Sequence, residues 1–281
     1  MSDPAATARN RALFAWYRRT RRDLPWRRDR DPWRVLVSEV MLQQTQTSRV
    51  AACFEEFIAR FPTPEAMAAT TPDRVVRAWV GFGLGYNTRA RRLHAVARRI
   101  AAAGWPSNAA DLMTLPGVGP YTAAAVASIA FGQREVAGDT NVRRVVSRWV
   151  GRPLQGRELA AEAAIRSGAQ TGTWNQAVMD LGAMVCRPKP RCEACPVATW
   201  CLDPTVYVAP PRQSAFAGSD RQVRGAVLRV LARTDAADTA EIAEAASLPR
   251  DRVASAVASL CADGTIESVR GGLRISRHPA G

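Results

Sequence analysis

The chain has 281 residues, of which 47% are hydrophobic and 23% charged, close to the averages of globular proteins, so wholesale disorder and a minimal scaffold are both excluded. No run approaches the ~20 consecutive apolar residues of a membrane span, and no apolar segment marks a leader, so a soluble, cytoplasmic protein is expected. The net charge of +14 lies almost wholly in residues 1–218, where 30 basic residues face 17 acidic ones, while residues 219–281 carry 9 against 8; an excess of that size points to a polyanion, either nucleic acid or an anionic membrane face.

Apolar residues recur at three-to-four spacing over residues 6–20, 33–46 and 48–60, which predicts amphipathic helices separated by Pro or polar breaks. Further helices are expected over 63–69, 73–80, 88–103, 108–114, 121–132, 141–150, 157–169 and 173–185, with no strand before residue 220. The stretch 203–219 is rich in Pro, Ala, Ser and Gly and reads as a linker. Beyond it, helical patterns at 220–234, 238–246 and 249–262 precede two short alternating runs around Gly271 and Gly272. Three helices and a hairpin suggest a winged-helix-like module, which could equally meet DNA or bind a protein partner.

Four of the six cysteines fall in one window, Cys186, Cys192, Cys195 and Cys201, with five, two and five residues between them. Clustered thiols without a secretory leader point to metal ligation before disulfides. Only one close pair is present, with a single cysteine on each side, so an iron–sulfur cluster is favoured over zinc, and Cys53 and Cys261 stand apart as structural thiols. Gly117 and Gly119, flanking Val118 in Leu115-Pro116-Gly117-Val118-Gly119, permit a tight turn whose following helix can aim N–H groups at a phosphate. That arrangement matches a helix–hairpin–helix gripping DNA backbone without reading sequence, against the plainer reading of an ordinary helix–helix turn.

Two acids stand out. Glu39 sits among Val35, Leu36, Val40, Met41 and Leu42, where burial would raise its pKa; Asp139 precedes a helix start, where the dipole and free N–H groups would keep it ionised. Opposed tuning of two carboxylates is the equipment for breaking a glycosidic bond. The plainer readings are an exposed helical glutamate and an ordinary N-cap. Among 39 basic residues only Lys189 is a lysine, and arginine cannot serve as an amine nucleophile.

Over residues 10–202 the chain resembles the helix–hairpin–helix DNA glycosylases, and within them the MutY family of adenine DNA glycosylases. The segments that carry the resemblance are Leu24-Pro25-Trp26-Arg27, Ser38-Glu39-Val40-Met41-Leu42-Gln43-Gln44-Thr45, Leu84-Gly85-Tyr86, the glycine turn, Asp139-Thr140-Asn141-Val142-Arg143-Arg144-Val145 and Met179-Asp180-Leu181-Gly182-Ala183. The resemblance implies a mostly helical, two-lobed fold, with a six-helix lobe over about 24–136 and a cluster lobe over 1–23 and 137–202; the winged-helix-like module over 220–281, read from its own pattern, follows the linker. The resemblance also implies a nucleoid-associated enzyme of base excision repair that removes adenine mispaired with 8-oxoguanine or guanine, with double-stranded DNA as partner and a monomeric state.

On that likeness Glu39 protonates the leaving adenine, Asp139 stabilises the oxocarbenium sugar, and Tyr121 and Asn141 support them. Gln43, Gln44 and Thr45 form the turn whose Gln44 wedges into the stack; Leu84 and Tyr86 face the opposite base; Arg27, Gly117, Val118 and Gly119 meet DNA. The four clustered cysteines hold a 4Fe-4S cluster. Bifunctional relatives carry a Schiff-base lysine where this chain has Tyr121, so release of the base without lysine-based strand cleavage is expected. Three departures are visible: five rather than six residues before Cys192, Asn87 where a second aromatic often follows Tyr86, and the short tail in place of the family's usual nucleotide-hydrolase-like domain. The alternatives are a thymine or uracil mismatch glycosylase on the same scaffold, and a non-catalytic DNA-binding iron–sulfur protein.

Overall fold

A computed structural model describes residues 4–207, 209 and 215–278. Of the expected linker, residues 208 and 210–214 lie outside the described residues. The order is α1 (Pro4–Thr20), α2 (Pro32–Leu42), α3 (Thr47–Arg60), α4 (Pro64–Ala68), α5 (Pro72–Gly81), α6 (Thr88–Ala103), α7 (Ala109–Leu112), α8 (Pro120–Ile129), α9 (Thr140–Val150), α10 (Gly156–Ser167) and α11 (Thr171–Met184). The tail adds α12 (Asp220–Leu231), α13 (Thr239–Ala246), α14 (Arg250–Ala262), β1 (Ile266–Val269) and β2 (Gly272–Ile275). The fold is thus mostly helical, and the first strand among the described residues is β1, as the patterning predicts.

Local chemistry sets the boundaries. Pro64, Pro72 and Pro120 open α4, α5 and α8, where a missing N–H costs nothing. Asp139 caps α9, and Gly151, at φ +76°, ends it in the left-handed region. The helix expected over 33–46 stops at Leu42. The carbonyls at its end are taken by Arg89, which donates to Val40 O at 2.8 Å, to Met41 O at 3.2 Å and to Gln43 O. Gln44 then turns at φ +54°.

Contact density divides the chain into two compact units. The first comprises residues 1–39, 106–114 and 118–211; the second comprises 40–105, 115–117 and 212–281. The division expected from the sequence cuts elsewhere, at 23/24 and 136/137, and sets the tail apart. In the first unit, Leu13, Trp16, Val145, Trp149, Trp174 and Val178 form a core from α1, α9 and α11, with the rings of Trp149 and Trp174 meeting edge-on, their centroids 6.2 Å apart. Gly182 on α11 is obligatory there, since a Cβ would lie 2.6 Å from Asn141 Cβ.

The second unit centres on Phe54, Phe57, Val76, Trp79, Leu93 and Ile100. The tail belongs to this unit and buries Val223, Val227, Leu231, Ile242, Val253 and Ile275. β1 and β2 pair antiparallel from Ile266 with Ile275 to Val269 with Gly272, and Ala237 bridges to Leu273 on the other edge. Arg77 of α5 donates to the carbonyls of Leu231, Ala232 and Thr234 at the end of α12, and Arg91 of α6 donates to those of Asp263 and His278. These charge-assisted bonds to chain-end carbonyls fix the tail against α5 and α6.

Candidate active site and cluster loop

Glu39 lies near the end of α2 and is only 7% exposed. Its carboxyl bonds the hydroxyl of Tyr121, from the first turn of α8, while Oε2 is buried and has no hydrogen-bond partner among the described residues. Burial therefore pushes the Glu39 pKa up to about 7; the Tyr121 hydrogen bond and Arg27 oppose the rise, and the charge of Asp139 adds to it. Tyr121 itself is held well above the ordinary phenol range by burial and by both carboxylates, so it remains a proton-bearing donor.

Asp139 accepts from the Val142 N–H at 2.6 Å and from Asn141 Nδ2 at 2.8 Å. Asn141 is oriented in turn by Arg144, whose Nη2 donates to Asn141 Oδ1 at 2.8 Å and to Gly182 O at 2.7 Å. The cap is present as expected, but its electrostatic outcome differs. Burial raises the Asp139 pKa above the usual carboxylate value despite the opposing N–H groups and Arg144. Both carboxyl groups thus move upward rather than in opposite directions. The asymmetry between them lies in hydrogen bonding: Asp139 has donors for its charge, whereas one Glu39 oxygen has none.

Arg27, expected on the DNA, is committed within the protein. Its two Nη atoms donate to Asp180 at 2.7 and 3.1 Å, and Arg22 adds contacts at 2.7 Å, so a fully buried aspartate is met by two guanidinium groups. Asn175, another buried polar residue, accepts from the Ala137 N–H and donates to Ser128 Oγ and Glu135 O, holding the chain that leads into Asp139. Asp180 was legible as part of a motif, but its partners are more than 150 residues away.

The glycine turn is tight at its first glycine. Gly117 adopts φ +74°, and a Cβ there would lie 2.6 Å from Arg92 Cδ. Gly119 is the N-cap of α8 and offers no capping side chain. Val118 is buried, so what this turn can present to a phosphate is backbone rather than the valine side chain.

In the second unit Gln44 is exposed, whereas Gln43 and Thr45 are half-buried. Arg89 ties this turn to the one carrying Tyr86: besides the α2 carbonyls, its Nη2 donates to Thr45 Oγ1 at 3.2 Å and to Gly85 O at 2.7 Å. Burial lowers the Arg89 pKa to about 10, still cationic at neutrality. Arg89 was not singled out by pattern, because nothing in an arginine-rich helix start distinguishes an internal clamp from a surface charge. Tyr86 sits at φ +54° and accepts from Arg221 of α12 at 2.7 Å, while Leu84 is 2% exposed and lies mainly in the core.

The four clustered cysteines line one cavity of about 100 Å³ in the first unit, with Trp149, Leu181 and Val185 among its walls. Among the described residues no group of three or more His, Cys, Asp or Glu is placed to hold a single metal ion. Arg148 is 1% exposed and donates to Cys186 Sγ at 3.2 Å and to the carbonyls of Arg187, Pro188 and Val206. Cys201 is pushed up to about 11 by burial and the neighbouring thiols, and Cys195 is raised for the same reasons. Four clustered cysteines beside a buried guanidinium are a donor set suited to a positively charged metal core, which would stabilise their thiolate forms.

No helix among the described residues is long and apolar enough to cross a membrane. The sequence profile of the HhH-GPD superfamily of base excision DNA repair proteins matches residues 37–169. The adenine DNA glycosylase of Mycobacterium tuberculosis (strain CDC 1551 / Oshkosh) is 45% identical over 236 residues, covering 78% of this chain and 77% of that one. The adenine DNA glycosylase of Mycolicibacterium smegmatis is 42% identical over 278 residues, covering 92% and 93%, so the similarity reaches into the tail. A thermostable thymine-DNA glycosylase of known structure superposes with a TM-score of 0.63 at 30% identity, over 70% of this chain and 95% of that one. The chain belongs to the adenine DNA glycosylases of the HhH-GPD superfamily and is a DNA-binding base excision repair enzyme that hydrolyses N-glycosidic bonds.

Proposed function

We propose that the chain excises adenine mispaired with 8-oxoguanine or guanine, acting as a monofunctional glycosylase and a monomer. The observation that carries the reading is the bare, buried Oε2 of Glu39, on a carboxyl group that keeps a proton near neutrality. Extruding a mispaired base costs only a few kcal/mol, and the site then meets it outside the stack. Glu39 delivers its proton to a ring nitrogen of the adenine as the C1′–N9 bond breaks, and the bonding electrons depart with the base. The cationic sugar faces the Asp139 carboxylate, which Asn141, the Val142 N–H and Arg144 hold ready. Water adds to C1′, and the proton it loses restores Glu39.

Tyr121 takes the place at which bifunctional relatives carry a nucleophilic lysine, and Lys189 belongs to the cysteine loop. Base release without lysine-dependent strand cleavage follows. Cys186, Cys192, Cys195 and Cys201 would hold a 4Fe-4S cluster, which supplies an electrostatic and covalent brace for the loop 186–201. Arg148, donating to Cys186 Sγ, to the loop carbonyls of Arg187 and Pro188, and to Val206 O beyond it, orients that loop. Residues 24–136 and 137–202, with 1–23, are read as the two lobes of the enzyme and 220–281 as its added module.

The test is single-turnover cleavage of labelled duplexes holding A opposite 8-oxoguanine, A opposite G, T opposite G or U opposite G, each with and without alkali. Breaks in the A-containing duplexes that require alkali support the proposal. Cleavage confined to T or U opposite G would establish the mismatch-glycosylase alternative instead, and no cleavage with intact DNA binding would favour a non-catalytic role.

A further inference from the structure

Helix α6 carries five arginines, and the fold sorts them. Arg89 and Arg91 turn inward, each 6% exposed, and direct their guanidinium groups to carbonyls. Arg92, Arg98 and Arg99 face outward, and the helix contains no Asp or Glu to neutralise them. Arg92 lies over the glycine turn. Its Cδ, Cβ and Cγ pass so close to Gly117 that a Cβ built on that glycine would lie 2.6, 3.3 and 3.3 Å from them. Both residues belong to the second unit.

Gly117 is therefore needed twice, for its φ of +74° and for the space that the Arg92 stem fills. Contact along the stem fixes the course of the side chain, while the guanidinium, which begins one bond beyond Cδ, stays uncommitted. It makes no hydrogen bond, ion pair or ring contact among the described residues, and Arg92 is exposed. The backbone of the turn is uncommitted too. The N–H groups of Gly117, Val118 and Gly119 donate to no acceptor among the described residues, and the next residue, Pro120, has no N–H. Successive bare N–H donors with a seated cation beside them favour a phosphate. Arginine suits that ligand, since its planar donors match two phosphate oxygens, and a stem already held in place loses less freedom on binding.

We propose that Arg92 binds a backbone phosphate of the duplex at the glycine turn, adding a directed charge to a contact otherwise made by N–H groups. A phosphate contact anchors the duplex without reading its sequence. The assignment thus goes beyond the proposed excision reaction and holds whichever base is removed. Its test is the binding of wild type, Arg92→Met, Arg92→Lys and Arg98→Met to a fully matched duplex and to one carrying a non-hydrolysable adenine analogue opposite 8-oxoguanine, at several salt concentrations. Methionine keeps an apolar stem for Gly117 and removes only the charge; urea unfolding verifies that each variant is folded.

Arg92→Met should weaken binding about tenfold on both duplexes alike and lower the slope of log affinity against log salt by about one. Arg92→Lys should keep the slope and lose only part of the affinity, because the charge remains without the planar fork. Arg98→Met, six positions along the helix, should leave the slope as it is. When phosphates are replaced one at a time by neutral methylphosphonates, one replacement that weakens the wild type about tenfold should leave Arg92→Met unaffected. A wild-type slope in Arg92→Met, or no phosphate whose loss this variant masks, would reduce Arg92 to a packing residue and overturn the proposal. Equal effects of Arg92→Met and Arg98→Met would overturn it as well, since diffuse surface charge would then account for both. If the wild type excises no adenine but the masked phosphate is found, the substrate assignment fails while the phosphate contact stands.

Discussion

Replacing Glu39 by glutamine should abolish base excision and, above neutral pH, make the protein more stable. In the folded chain the group titrates near 7, against 4.5 for the unfolded chain, because burial disfavours its charge. Between those values the folded state holds a proton that the unfolded state has released, so stability falls as pH rises and stays lower beyond 7. At 1.36 kcal/mol per pKa unit, the full difference is about 3 kcal/mol. Glutamine keeps the shape without the charge and escapes this cost. Wild type and Glu39→Gln should therefore denature at similar urea concentrations at pH 4.5, and the variant should gain about 3 kcal/mol by pH 9. Urea unfolding at half-unit pH steps measures the gap. A constant difference across pH, or one that grows toward acid, would refute the assignment of Glu39 as a buried carboxyl that retains its proton.

The rate should carry the same signature: single-turnover excision by the wild type is expected to hold level below pH 7 and fall about tenfold per pH unit above it, as the proton on Glu39 is lost. Gly182→Ala should reduce excision by at least about tenfold, because a Cβ 2.6 Å from Asn141 Cβ displaces the amide that donates to Asp139, which is checked by rate measurements on folded protein. Asp180→Asn removes the charge shared by Arg22 and Arg27 and should cost about 3–5 kcal/mol in urea unfolding. Arg89→Ala frees the carbonyls at the end of α2 and should weaken duplex binding with little dependence on which base opposes adenine; binding titrations against matched and mismatched duplexes decide it.

Short-range patterns made much of this protein legible. The three-to-four spacing of apolar residues located most helices, since a helix must present one face to a core. Asp139 before Thr140 announced a cap, Gly117 announced a turn needing positive φ, and the tail hairpin was marked by Gly271-Gly272. Each depends on interactions within a few residues. Where α2 ends was not legible, because its last carbonyls are satisfied by Arg89, nearly fifty positions away.

The sequence by itself determined which groups were available: two carboxyls in suggestive settings, a tyrosine and no nearby lysine, four thiols in one short window, and a basic majority of the chain. Tertiary structure alone decided what those groups became. Desolvation is a property of the assembled surroundings, so only the fold could raise Glu39 to about 7 and lift Asp139 with it, against the expectation from its cap. Likewise, one arginine looks like another in the chain, yet the fold commits Arg27 to Asp180, Arg148 to the cysteine loop and Arg221 to Tyr86. Charge pairing follows distance in space, and sequence separation carries almost no record of it.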